Sequence, residues 1–214
     1  MTIGYINVCQ KGNWQKPFDM IMSAVKSNGL YEETSEIRLV ILNDNIMWEH
    51  DQRFEDPKVV IVSHQPTCAF ERHALVHMAN YSETDSPTAY WYAHTKGTSH
   101  FGGGNKEWED CITEWIKYMC HHNFVNWRIA SEKLQSHDTY GCEHHNVPKQ
   151  HYSGNFWWAN SHYIKTLPKE IGQGYCDPEF WLLNRRNVLG CNIYSSGYGP
   201  GGLYSYSGYD EISI

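Results

Sequence analysis

Residues 58–63 read Lys58-Val-Val-Ile-Val-Ser63. The run is nearly all apolar, is rich in β-branched side chains and follows the break at Asp56-Pro57. It predicts a strand covered on both faces, the kind found in parallel sheets. Upstream lie two runs of the same character, Glu36-Ile-Arg-Leu-Val-Ile-Leu42 and Ile3-Gly-Tyr-Ile-Asn-Val-Cys9. Between those two, Pro17 opens a helix that runs to about Ser27 with Phe18, Ile21, Met22 and Val25 on one face, and Asn28-Gly29 stops it. Downstream, a helix from about Phe70 to Tyr81 spaces Ala74, Leu75, Met78 and Tyr81 for burial, and Ala89-Tyr-Trp-Tyr-Ala93 is a fourth strand. Strand and helix alternate through this half. The expected class is α/β, one domain with a central, mostly parallel mixed sheet flanked by helices.

The second half is less regular. Helices are expected at about 106–120 and 122–135, a short strand at 139–142, and a strand with a turn at 151–158. A short helix over 160–167 is closed by Pro168, another starts at Asp177 and runs through Leu183, and a last strand covers 189–194. From Ser195 the chain is rich in Gly, Tyr and Ser. The expected organisation is a domain over 1–195 and a tail or lid over 196–214.

With 214 residues the chain is long enough to bury a core without staples. Its net charge of −7 excludes a general binder of phosphate backbones, so no nucleic-acid partner is expected. No apolar run approaches the roughly 20 residues that span a bilayer, and the first residues lack the basic start of a signal peptide. The seven cysteines contain no CxxC pair, which suits free thiols in a reducing compartment, the cytoplasm. Nine Trp and fifteen Tyr with few charges suit sites that stack flat, half-polar ligands such as sugars or bases.

In a parallel sheet, ligands sit beyond the carboxyl ends of the strands. That rule selects the loops 10–14, 43–45, 64–67 and 94–105. The sharpest segment is His94-Thr95-Lys96-Gly97. A lysine there meets a phosphate as a point charge, threonine and backbone N–H groups hydrogen-bond it, and glycine permits close approach. Walker spacing is absent. In Ser153-Gly154-Asn155-Phe156-Trp157-Trp158, small polar groups precede rings able to cover a pyranose face. In Asp177-Pro178-Glu179, two carboxylates open a helix and suit base, nucleophile or metal-ligand work, although Asp177 also reads as a plain helix start. The pairs His121-His122 and His144-His145, with His151, raise a metal hydrolase as a third reading, against which neighbouring helical side chains point about 100° apart.

The order of these segments resembles the small GT-A-type nucleotide-sugar glycosyltransferases, and most closely the amino-terminal domain of the chlorella-virus enzymes that build capsid glycans. The residues that carry it are Tyr90-Trp-Tyr-Ala-His-Thr-Lys-Gly97, Trp115-Ile-Lys-Tyr-Met119, Asp138-Thr-Tyr-Gly141, His151-Tyr-Ser-Gly-Asn-Phe-Trp-Trp-Ala159, Tyr163-Ile-Lys-Thr-Leu-Pro168 and Asp177-Pro-Glu-Phe-Trp181. His-Thr-Lys also resembles a motif of bacterial rhamnan-type glycosyltransferases. The resemblance implies a GT-A-like domain that moves a sugar, with retention favoured, from a UDP-sugar to a hydroxyl of a glycan or glycoprotein in the cytoplasm of a host cell. Gln10, Lys11 and Trp14 would lie by the nucleotide, and His64 and Arg72 by the base or diphosphate. His94, Thr95 and Lys96 would fall where such enzymes carry Asp-x-Asp. Ser153, Gly154 and Asn155 would hold the sugar, and Asp177 or Glu179 would face the anomeric carbon or acceptor. No Asp-x-Asp follows the fourth strand. Either His94 with Asp177 holds Mn²⁺ or Mg²⁺, which is the expectation adopted, or Lys96 replaces the ion's charge. The alternative from another class is a non-catalytic carbohydrate-binding module.

Overall fold

The computed structural model describes residues 1–45, 50–84 and 88–197. The expected tail or lid, from 198 onward, lies outside the described residues. The strands are β1 (Thr2–Cys9), β2 (Thr34–Leu42), β3 (Val59–Gln65), β4 (Ala89–His94), β5 (Thr139–Gly141), β6 (His144–His145), β7 (His151–Tyr152), β8 (Trp157–Asn160) and β9 (Gly190–Asn192). The α-helices are α1 (Gln15–Ser27), α2 (Leu30–Glu33), α3 (Arg72–Tyr81), α4 (Lys106–Cys120), α5 (Trp127–Lys133), α6 (Ser161–Ile164) and α7 (Asp177–Trp181).

Seven strands form one sheet in the order β3-β2-β1-β4-β8-β5-β9, and β6 pairs with β7 in a small hairpin. The pairs β1·β2, β2·β3, β1·β4 and β5·β9 are parallel, and β8 runs against both β4 and β5. The α/β class and the mixed, mostly parallel sheet are therefore as expected.

Alternation along each strand builds two cores, because successive side chains point to opposite faces. Ile6 and Val8 of β1, Leu39 and Ile41 of β2, Trp91 of β4 and Trp158 of β8 face α1 and α4, where Phe18, Ile21, Val25, Ile112, Trp115 and Ile116 meet them. Tyr5, Val40, Leu42, Tyr90, Tyr92 and Trp157 face the other way, onto Leu75, Met78, Tyr163 and Leu182. The three aromatics of β4 are thus divided between the two layers. Gly4 is required opposite Trp91: a Cβ on it would lie 2.0 Å from the indole.

Some local expectations shift. The apolar strand over 58–63 is the edge of the sheet, only partly buried, with Val60 43% exposed. Its branched side chains report β-propensity, which an edge strand shares with a central one. The helix expected from Phe70 begins at Arg72, because Phe70 holds a φ of +51°. The helix expected over 122–135 is interrupted by a π-turn at His121–Val125, which the Asn126 N–H closes on the His121 carbonyl. No described helix is long and apolar enough to cross a membrane. All seven cysteines are free.

Candidate functional site

Strand order reverses at β1: β2 and β3 lie to one side, β4 to the other. The carboxyl ends of β1 and β4 lie side by side at that point, the usual ligand position of such sheets. Thr95 ties the two ends together. Its N–H donates to the Asn7 carbonyl, and its Oγ1 accepts the Cys9 N–H at 2.8 Å. Beyond the tie opens a cavity of about 500 Å³. Lys11 lines it from the end of β1, Phe70 and Glu71 from the start of α3, and residues 94–100 from the end of β4. Because β8 is reversed, the turn that enters it meets the exits of the parallel strands. Ser153 and Asn155 form that wall, and Tyr175, Cys176 and Glu179 close it from α7 and the loop before it.

The Ser153–Asn155 turn is clamped by its central residue. The Gly154 N–H donates to Glu179 Oε1 at 3.0 Å, and its carbonyl accepts from His94 Nε2 at 3.0 Å. Gly154 holds a φ of +88°, and a Cβ there would lie 2.2 Å from Met119 Sδ, so glycine is needed on both counts. Asn155, at a φ of +56°, donates through Nδ2 to Glu71 Oε2 and accepts the Trp157 indole N–H at 2.8 Å. Glu71 Oε2 also accepts the Tyr92 hydroxyl at 2.7 Å. Burial, with Glu71 beside it, pushes the Tyr92 phenol well up, so it stays a donor.

A carbonyl oxygen only accepts, so Nε2 of His94 carries the proton and Nδ1 of the neutral ring is an acceptor. Nδ1 faces Glu71 Oε1 at 3.9 Å. Burial lowers the His94 pKa, with Glu71 opposing and Lys96 assisting. The Lys96 ammonium sits 3.9 Å from the centroid of the Trp115 ring. Lys11 stands 3.8 Å from Asp44, whose carboxyl is held below its usual range by the Thr67 hydroxyl and N–H.

A family model described as a domain of unknown function, DUF8361, matches residues 21–195. The chain belongs to the DUF8361 family. No curated protein matches it.

Of the residues expected in the site, this DUF8361 domain brings Lys11, His94, Thr95, Lys96, Ser153, Asn155 and Glu179 to one cavity, with Gly154 directly behind its wall. Five others do not line it. Trp14 is buried in the core, stacked on Phe54, since the first turn of α1 directs it inward. Gln10 lies beside the cavity, its side-chain carbonyl accepting from Asn43 at 2.8 Å. His64 is exposed on the edge strand β3 and does not line the cavity. Arg72 is buried and gives its guanidinium to the carbonyls of Ala69, Gly172 and Gly174, so it anchors the loop that carries Tyr175. Asp177 does not line the cavity; its Oδ2 accepts the Gly174 N–H at 2.8 Å, a local turn bond that folds the carboxylate back on its own loop.

His94 and Asp177 therefore do not form the metal pair that was expected. Among the described residues no three His, Cys, Asp or Glu side chains converge as ion ligands. That holds for the histidine pairs as well. His121 bonds Asn126, and His122 stacks on Tyr194, which fits packing rather than a hydrolase centre. A divalent ion that keeps its waters needs only one or two protein ligands, and Glu71, Glu179 and His94 are the groups of this cavity that would supply them. The group that sequence reading missed is Glu71, the hub of the site in the DUF8361 domain. It stands four residues beyond the loop 64–67 selected by the parallel-sheet rule, inside a stretch taken for helix.

Proposed function

We propose that the chain is a glycosyltransferase that moves a sugar from a nucleotide diphosphate sugar, a UDP-sugar, to a hydroxyl of a glycan or glycoprotein, in the cytoplasm of a host cell and in the service of viral capsid glycosylation. One observation carries this reading: a cavity at the point of strand reversal lined by Lys11 and Lys96 on the exits of β1 and β4 and by the carboxylates of Glu71 and Glu179. A donor of this class has the same polarity, an anionic diphosphate joined to a neutral, hydroxyl-rich ring.

In this reading Ser153 and Asn155 bond the sugar hydroxyls, and Glu179 faces the anomeric carbon or the acceptor. The bond between the anomeric carbon and the β-phosphate oxygen breaks, and its electron pair leaves with the nucleoside diphosphate. A new bond forms to the acceptor oxygen, whose proton passes to a carboxylate of the wall. Retention is the favoured outcome, which requires the acceptor oxygen to approach on the face that the diphosphate leaves.

The test is a melting-shift panel of UDP, GDP and CMP, since a ligand bound only to the folded state raises apparent stability. UDP is expected to stabilise the chain, and UDP-sugars to be consumed when a glycan acceptor is supplied. Stabilisation by free glycans alone, with no response to any nucleotide, supports the carbohydrate-binding module instead and removes the transferase.

A further inference from the structure

Glu71 and His94 both line the cavity and meet there without bonding one another. Each commits one polar atom to the protein and keeps the other. Oε2 of Glu71 accepts from the Tyr92 hydroxyl and from Asn155 Nδ2, and Nε2 of His94 gives its proton to the Gly154 carbonyl. That leaves Oε1 and Nδ1, 3.9 Å apart, on side chains only 18% and 16% exposed. Both atoms are acceptors, and the hydrogen bonds that Glu71 and His94 make with described residues reach neither of them.

The two acceptors are held in place from behind. Tyr92 and Asn155 are buried, Asn155 also takes the Trp157 indole N–H, and Gly154 is clamped from its other side by Glu179. A hydrogen bond spans about 2.8 Å, so acceptors 3.9 Å apart suit two donors standing side by side between them. A single hydroxyl carries one proton and satisfies one acceptor. Adjacent hydroxyls on a sugar ring carry two, at a fixed spacing, and each reaches one acceptor. A cation is the competing occupant. Lys96 already stands close enough to His94 to assist burial in lowering its pKa, and a further positive charge at the notch meets the same repulsion. The neutral pair of donors is favoured.

We propose that Oε1 of Glu71 and Nδ1 of His94 together read a vicinal diol of the transferred sugar, so that the ring must present two adjacent hydroxyls to this cavity. The proposal rests on the nucleotide-sugar reading and deepens it by naming the sugar class. The notch is a specificity device. A ring that lacks one of the hydroxyls leaves a largely buried acceptor without a donor, which costs more than the bond itself contributes.

The experiment is calorimetric titration of the full chain, in Mg²⁺ buffer, with UDP and with UDP-glucose and UDP-galactose, each beside its 3-deoxy form. The hydroxyl at position 3 belongs to both vicinal pairs of the linked hexose, so its removal leaves no diol on that ring. The hexose that fits is expected to lose about tenfold or more in affinity in its 3-deoxy form. This arm uses the parent chain and needs no variant to fold. In Glu71→Gln the amide N–H can take His94 Nδ1 and close the notch. There the hexose is expected to bind no better than its 3-deoxy form, with UDP changed less than about twofold, and the melting point shows that the variant has folded. Equal binding of both hexoses and their 3-deoxy forms, with UDP bound, overturns the proposal and leaves the nucleotide-sugar reading standing. Equal weakening of UDP and the UDP-hexoses in folded Glu71→Gln moves the notch to the nucleoside and also overturns it. So does a Mn²⁺ ion, seen by electron resonance on the chain without nucleotide, that Glu71→Gln releases. Binding of none of the nucleotides removes both the notch and the reading.

Discussion

Nε2 of His94 lies 3.0 Å from the carbonyl oxygen of Gly154, and this single hydrogen bond places the Nε2 proton of the ring. It fixes the tautomer, turns Nδ1 towards Glu71, and leaves two acceptors 3.9 Å apart at the cavity wall.

Glu71 is expected to tolerate an amide and to resist truncation. Glu71→Gln keeps a carbonyl oxygen for Tyr92 and Asn155, and its NH₂ group can donate to His94 Nδ1. Glu71→Ala leaves two buried donors without an acceptor and is expected to cost about 1–3 kcal/mol. Urea unfolding of the two variants checks the contrast; equal losses would show that the bonds to Tyr92 and Asn155 are not what Glu71 contributes.

Gly154→Ala is expected to destabilise by about 1–3 kcal/mol, from left-handed backbone strain and crowding of Met119. Adding Met119→Ala should recover the crowding part and leave the strain. A double-mutant cycle separates the two, and full recovery would show that the backbone at 154 is unstrained.

Stability is expected to fall on mild acidification through His122. Burial, helped by the neighbouring His121, lowers its pKa to about 4. An unfolded histidine titrates near ~6.5. Between those values the unfolded chain binds a proton that the folded chain does not, so stability decreases as pH drops through that window and levels off below it. Denaturant midpoints at pH 7 and pH 5 should differ less in His122→Gln than in the parent. An unchanged difference would assign the acid sensitivity to other groups.

Replacing Arg72 by Leu should loosen the segment 172–176. Three carbonyls lose their donor, two of them in that loop, at a cost of about 1–3 kcal/mol. Hydrogen exchange at Gly174 and Tyr175 should quicken while exchange in β1 and β4 stays slow. Uniform acceleration would mean that Arg72 supports the whole domain.

The sheet and its long helices were legible because their signals are local. Pro17 and the apolar spacing behind it define α1, and the period of Ile112, Trp115, Ile116 and Met119 defines α4. The parallel-sheet rule also located the crevice, bringing Lys11, His94 and Lys96 together before any coordinates. What stayed hidden depends on pairs far apart in sequence. Glu71 meets Asn155 across 84 positions, and Arg72 meets Gly174 across 102. Nothing in the spacing around Asp177 announces that its carboxylate turns back on Gly174. Trp14 shows the opposite failure: an aromatic beside a selected loop is more easily absorbed by the core than presented to a ligand.

The reversal of β8 has a consequence for how this scaffold can diversify. Two stretches encoded about fifty codons apart, the loop 97–104 and the hairpin around 147–154, border the same opening, and neither contributes a rung to the seven-stranded sheet. Exchanging or lengthening one of them would remodel a different bank of the opening while every ladder of the seven-stranded sheet stays in register. A library that grafts foreign segments at these two places, singly and together, would explore new ligands on an unaltered frame.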